Sequence, residues 1–532
     1  MKKRSFLAIM MAGLLFASCD KTNDPNNNVG SGELETSYIA VSVNSVFDPA
    51  MRADDEKFDR GTTSEQKVST AHFFFFDQSG NPFALNQESL VGANDKANYV
   101  VKTGLTDTGE DMPNVETITN VVLTIKNLKG EYPAQMVAVL NWNYSGEAIS
   151  LTNLRNTLAD YAAAVENSNG FLMSNSAYVK GNNTVITATP ITINNIASSE
   201  AGALAAPVDI YVERVAAKVT VKEDKTKVQA GSGAFDTGVT TPDGEKIYAL
   251  ITGWDINTTI DRSYLVKEID ATWQSGTLGF TWNDEPYYRS YWAKSVPADG
   301  VNVKYDTDFT YNSLTNIVDR TIYCLENTGE KHTQIVFATK LMDAQQHEVK
   351  VARLYSEMYI LDDIKKVIAN ALKDYYYYLG DDNNKHSIEP TQIEFEAAGT
   401  SGKDSYTVRY KLTDDAAAKS WYYTNDACST FVEKTAQEVN TYLGTLEGAQ
   451  VWNGMAYYTV DIEHLGTQDI KGVVRNHSYV ITVEGISGLG TPVYDPNNNI
   501  TEPVDPVETS SYISARINVL SWKIVNQNVT LQ

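Results

Sequence analysis

Short runs of β-branched and aromatic residues, parted by clusters of Gly, Asn and Asp, constrain this chain more than any other feature. They fall at 68–76, 121–125, 136–140, 185–193, 208–221, 247–254, 333–340 and 479–483. Runs of this length, bounded by turn-forming residues, read as strands rather than helices. Many of them on one chain indicate β-sandwiches. A chain of 532 residues has room for about two or three domains, each with its own core. The expected class is mainly β: two antiparallel β-sandwich domains with a few short helices and a C-terminal strand extension. Three apolar stripes at helical spacing are expected to be core faces: Leu151, Leu154, Leu158, Ala162 and Val165; Leu361, Ile364, Ile368 and Leu372; and Val439, Tyr442 and Leu443. Thr435 and Glu438 make a capping box ahead of the third.

The N-terminal end sets the compartment. Lys2, Lys3 and Arg4 precede an apolar run at 6–16, which is too short to span a bilayer and reads as a signal-peptide core. Ala17 and Ser18 lead into Cys19, the arrangement cut by lipoprotein signal peptidase, with Phe16 where Leu is usual. The competing reading is an ordinary secretory signal with an incidental Cys. Acyl chains on Cys19 would hold the chain on a membrane at about 0.8 kcal/mol per buried CH₂. Residues 19–35 are rich in Asn, Asp and Gly and form the expected tether. The net charge of −24 argues against nucleic acid and suits a repulsive extracellular surface. Cys324 and Cys428 make no disulfide framework; a pair and two separate thiols both fit the sequence.

The expected segments are a signal peptide at 1–18, the tether at 19–35, a first sandwich at 36–222 and a second at 223–492. The boundary follows Val221, where a charged, Gly-rich stretch separates two strand blocks. A linker at 493–511, rich in Pro, Asn and acidic residues, leads to terminal strands at 512–532.

Those terminal strands are the most informative feature. SYIAVSVNSV at 37–46 and SYISARINVL at 511–520 align without gaps, with Ser, Tyr, Ile and Asn at equivalent places. Ile39, Val41 and Val43 would face one side of the first strand, opposite Tyr38, Ala40, Ser42 and Asn44. Ile513, Ala515, Ile517 and Val519 alternate in the same way with Tyr512, Ser514, Arg516 and Asn518. The C-terminal strand therefore fits the groove that the N-terminal strand fills. Removing a core strand exposes apolar surface and unpaired backbone groups, and a matching strand from a neighbour satisfies both. Donor and groove are different surfaces, so the contact runs head to tail and builds an open filament. The loop at 47–67 is polar and irregular, with Arg52 and Arg60 as its arginines, and is suited to nicking. A cut after Arg52 would detach lipid, tether and first strand together. The bland readings are a chance likeness of two alternating strands and a solvated arginine.

With these parts in view, the chain resembles the fimbrillins of Bacteroidales, the shaft subunits of type V pili, and within them the longer, minor-fimbria shaft type. The likeness lies in FASC at 16–19, SYIAVSVNSVFDPAMRADD at 37–55, VAVLNWN at 137–143 and VERVAAKVTV at 212–221. It continues in YCLENT at 323–328, VVRNHSYVITVEGISGLG at 473–490 and INVLSWKIVNQNVTL at 517–531. The resemblance implies transthyretin-like sandwiches, export as a palmitate-bearing outer-membrane lipoprotein, and maturation by an Arg-specific protease. Cys19 would be acylated and Arg52–Ala53 would be the cleaved bond. Tyr512, Ile513, Ala515, Ile517, Val519, Leu520 and Trp522 would supply the donor strand to another copy. The partners implied are other copies of the chain in a head-to-tail polymer, accessory and anchor fimbrial subunits, and the protease. The product would be an extracellular fimbrium, or pilus, that supports cell adhesion and virulence.

Nothing in the sequence asks for catalysis. His72, His332, His347, His386, His464 and His477 lack ligand spacing, and no P-loop, GxSxG or Rossmann fingerprint occurs. No cofactor and no metal are expected. His72 lies in a strand run and reads as structural. DDNNKHSIEP at 381–390 lacks the EF-hand pattern, and YYYY at 375–378 fits core packing as well as sugar stacking. Two alternatives stay in play: a tip or accessory fimbrial adhesin, and, from a different class, a glycan-binding surface lipoprotein.

Overall fold

The computed structural model describes residues 36–45, 61–85, 97–105, 118–126, 132–180, 184–269, 294–297, 301–305, 308–424, 430–464, 471–500, 512–520 and 524–526. Cys19, Arg52, Ala53, Cys428, Trp522 and the tether lie outside them, as do residues 47–60 of the expected cleavage loop and 501–511 of the expected linker.

The chain is mainly β, as expected. Its first sheet contains β1 (Thr36–Ser45), β2 (Thr70–Phe76), β3 (Tyr99–Thr103), β4 (Ile118–Lys126), β5 (Gln135–Leu140), β6 (Met173–Asn175) and β7 (Val208–Arg214). From β1 the sheet runs through β7, β6, β5 and β2 to β3, while β4 pairs with the other edge of β1. Ile39 and Val41 of β1 share one core with Phe73 and Phe75 of β2, Leu123 of β4 and Ile210 of β7. The run of phenylalanines at 73–76 has no polar alternation because β2 is buried on both faces. Phe74 and Phe76 enter a second cluster with Val137, Val139, Leu151 and Leu154. Burying one such side chain contributes about 1.5–3 kcal/mol.

His72 is a buried histidine among aromatic rings. Its Nε2–H donates to the Tyr144 carbonyl at 3.0 Å, beside the rings of Phe74, Tyr99 and Trp142.

Immediately after β7 comes β8 (Ala216–Glu223), with Val215 buried between them. The expected run at 208–221 is thus two strands. β8 pairs with β11 (Thr321–Leu325) and β14 (Ser478–Ser487), so the chain changes sheet at Val215, one strand ahead of the expected boundary at 222/223. Facing it is the sheet β9 (Phe235–Thr240), β10 (Lys246–Asn257), β12 (Gln334–Met342), β13 (Met455–Asp461) and β15 (Thr491–Val493). Val219, Cys324, Tyr479 and Ile481 from one sheet meet Ile247, Trp254, Phe337 and Tyr458 from the other. Burial pushes the Cys324 thiol up to about 12, so it is an inert apolar filler.

Strand pairing is antiparallel throughout the described sheets except at β1–β7 and β8–β14. In the first sheet this sets the first strand parallel to the last.

Between β12 and β13, which pair with each other, residues 351–452 form a body with its own core. Helix Leu361–Leu372 buries Ile364, Ile368 and Leu372, as expected, against Tyr410, Trp421 and Val451. Helix Ala436–Leu443 has the expected capping box and buries Val439 and Leu443, but Tyr442 is exposed. Within YYYY, Tyr376 is buried against Tyr423 and Tyr442.

Two expectations need correction. The stripe from Leu151 is not one helix: Leu151–Asn156 and Tyr161–Ala164 are separated by Leu158–Asp160, which pairs with Arg262–Tyr264, and Asp160 caps the second helix. Leu158 and Val165 are accordingly half-buried and Ala162 is exposed. The linker expected from 493 is docked over its first part. Val493 and Ile500 are buried with Phe309 and Tyr457, and the Ile500 N–H donates to the Phe309 carbonyl at 2.9 Å.

Candidate strand-exchange site

Thr36 to Ser45 carries β-branched residues at alternate places, and the sheet takes them up from both sides. Along one edge β1 pairs antiparallel with β4, from Thr36 opposite Lys126 to Asn44 opposite Ile118. Along the other it meets Ile196–Ala197 and then runs parallel to β7, with Val41 beside Val208 and Val43 beside Ile210. Ile39 and Val41 have no exposed surface, as their alternation predicts. Ala40 and Ser42, on the opposite side of the strand, are buried too. Helix α2 (Glu200–Ala205), capped by Ser199, lies against β1 and β4. β1 is therefore an interior strand whose central residues are covered on both faces.

The last part of the expected cleavage loop at 47–67, read from sequence as polar and irregular, is instead a capped helical turn tied down at the joint between the two sheet regions. Thr62 and Glu65 form a capping box on helix α1 (Thr63–Gln66). Glu65 is fully buried, accepts from Tyr323 Oη at 2.6 Å and lies 3.3 Å from Lys218 Nζ. Arg214 Nε donates to the Glu65 carbonyl at 2.9 Å and Arg214 Nη1 to Asn476 Oδ1 at 3.3 Å. Burial pushes the Glu65 carboxyl upward, but the hydrogen bonds from Tyr323 and the Thr62 N–H, with the charges of Lys218 and Arg214, outweigh it and hold the pKa below the usual range. Two more buried pairs reinforce the joint: Lys267 with Glu213 at 2.9 Å, and Arg475 with Glu326, whose Oε2 also accepts from the Arg475 N–H. Of this joint only the Thr62–Glu65 spacing has a sequence signature. The other ionic residues come together through tertiary structure alone.

At the other end of the chain, β16 (Tyr512–Leu520) pairs antiparallel with β14 from Ser487 to Ser478, with a register shift at Val483/Gly485. The short β17 (Ile524–Asn526) pairs back on β16 from Asn518 to Leu520. Tyr512, Ile513, Ala515, Ile517, Val519 and Leu520 are thus in a strand, as expected, at the margin of the second region. Tyr38, Ile39, Val41 and Val43 are in another strand, paired along both edges, in the first. The structure does not bring the two sets together within one chain.

Among the described residues no group of three or more His, Cys, Asp or Glu side chains could hold a metal ion, and no helix is long and apolar enough to cross a membrane.

No curated protein matches the chain. Among solved structures, a "putative cell adhesion protein" from Parabacteroides distasonis is 12% identical, with a TM-score of 0.38, over 93% of this chain and 98% of that one. A fimbrilin (fimA) from Porphyromonas gingivalis is 13% identical, with a TM-score of 0.35, over 93% of this chain and 98% of that one. Residues 450–528, which span β13 to β17, match the family model described as "Major fimbrial subunit protein type IV, Fimbrillin, C-terminal". The likeness to the fimbrillin family thus rests on this C-terminal segment.

Proposed function

We propose that this protein is a structural subunit of a bacterial surface fimbria, and specifically a shaft subunit. It is exported as a lipoprotein on Cys19, cleaved after Arg52 and polymerised when β16 of one copy enters the groove that β1 leaves in the next. The fimbrillin match over 450–528 supports the fimbrial role. The observation that carries the mechanism is the pairing of like sequences with unlike stations. SYIAVSVNSV occupies a two-sided slot between β4 and β7, while SYISARINVL has one long neighbour, β14. A strand held along one side leaves more cheaply than one held along two, and the slot offers it a second ladder. Adhesion would be a property of the filament, not of a catalytic site.

The test starts from recombinant chain beginning at residue 20, treated with an Arg-specific protease. A new N-terminus at Ala53, with an SDS-resistant ladder that disappears on deletion of 512–532, supports the shaft reading. Cleavage at Ala53 without a ladder supports an accessory subunit instead. An uncut, monomeric chain removes the mechanism.

A further inference from the structure

We propose that Asp209 of one copy is the docking acid for Arg516 of the next, and that this pair sets the register of the incoming strand. The inference rests on the strand-exchange reading above and deepens it. The gapless alignment of 37–46 with 511–520 places Ile513 at Ile39, Ala515 at Val41, Ile517 at Val43 and Arg516 at Ser42. Most substitutions between the two strands exchange neutral groups of similar size; Ser42 to Arg516 is the one that adds a charge.

Ser42 lies beside Asp209 of β7 in the parallel ladder and opposite Asn120 of β4. Parallel neighbours in register stand about 4.8 Å apart and project to the same face. The alternation in β7 puts Val208 and Ile210 in the core and Asp209 on the outer face, where it is exposed. Among the described residues Asp209 has no cationic partner, and partial desolvation by the packed strands raises its pKa. Ser42 itself is only 8% exposed. A guanidinium brought to that place loses much of its hydration unless an acid meets it, and its long stem can carry it outward to a neighbour at the surface. Asp209 is that neighbour. A shift of the donor by one residue would set Arg516 against Val208 or Ile210 in the core, so the pair penalises the wrong register as well as favouring the right one.

The test uses cleaved full-length subunits carrying Asp209→Arg, Arg516→Asp or both, with thermal melts to confirm that each monomer folds. Ladder formation in each single reversal is expected to slow about tenfold, since like charges would then face each other in the slot. The double reversal is expected to return it to near the native rate. Native rates in both single variants, or a double variant slower than either, would overturn the pair while leaving strand exchange standing. If the unaltered subunit forms no ladder after cleavage at Arg52, strand exchange itself fails and the pair falls with it.

Discussion

β1 and β16 carry nearly the same pattern of side chains and hold opposite stations. β1 is hydrogen-bonded along both edges, and its central residues Ile39, Ala40, Val41 and Ser42 are buried. β16 is bonded to β14 and, over three residues, to the short β17. The difference teaches how one sequence pattern can serve as both lock and spare key. The strand that completes a core is costly to lose, whereas the strand that rests at a margin is cheap to move.

The largest effect that can break this comparison is deletion of a whole strand. Removing 36–46 is expected to destabilise the uncleaved monomer by at least about 5 kcal/mol, from the lost apolar burial and two ladders. Removing 512–532 is expected to leave its melting nearly unchanged. Equal losses from the two deletions, measured by chemical denaturation, would erase the distinction.

Point substitutions sharpen it. Ile39→Ala should cost about 2–4 kcal/mol of monomer stability, while Ile513→Ala at the aligned position should cost about 1 kcal/mol or less. In the polymer the order should reverse, with Ile513→Ala lowering the temperature at which the ladder dissolves and Ile39→Ala leaving it untouched. Scanning calorimetry of monomers and ladders made in parallel gives both numbers.

Glu65 tests the joint that would stay behind if β1 were removed. Glu65→Ala should cost about 3 kcal/mol, because it removes the buried acid that meets Lys218 and the Tyr323 hydroxyl. Its depressed pKa also fixes the sign of a pH effect. A carboxylate held below its unfolded value stabilises above that value, near 4.5, and the contribution is lost as pH falls through the folded pKa. The native chain should therefore lose stability on acidification below about pH 4.5 more steeply than Glu65→Gln. Parallel slopes in acid would remove Glu65 from the account.

The smallest expected effect is a control. Thr435→Ala removes the cap of helix Ala436–Leu443, far along the chain from either strand. It should cost about 1 kcal/mol in melting and change neither cleavage nor ladder.

Much of this was legible beforehand where one rule acts alone. The strand patterns in 37–46 and 511–520 and the helical spacing from Leu361 each reflect local periodicity, and the structure has strands at Thr36–Ser45 and Tyr512–Leu520 and a helix at Leu361–Leu372. Sequence reading failed where tertiary partners decide. Leu158 left its helical register because Arg262–Tyr264 offered a ladder, and the apolar run through Val215 hid a change of sheet. Ile500 sits in a stretch of Asn, Pro and acidic residues that looked free of core, yet its backbone is held by Phe309. The joint at Glu65, Arg214, Lys218 and Tyr323 joins residues more than a hundred positions apart, and no local pattern marks it.

The most direct measurement places one cysteine in each strand's station. Asn518 aligns with Asn44, whose parallel neighbour on β7 is Tyr211. Neighbouring strands lie about 4.8 Å apart, within the span a disulfide bridges. A chain with Tyr211→Cys and Asn518→Cys, and with Cys324 and Cys428 replaced by Ser, would be oxidised before and after cleavage at Arg52. The account predicts disulfide-linked multimers only after cleavage, with the bridge mapped by mass spectrometry between positions 211 and 518 of different copies. Ladders that form after cleavage without that bridge, or the bridge forming equally in uncut chain, would contradict it.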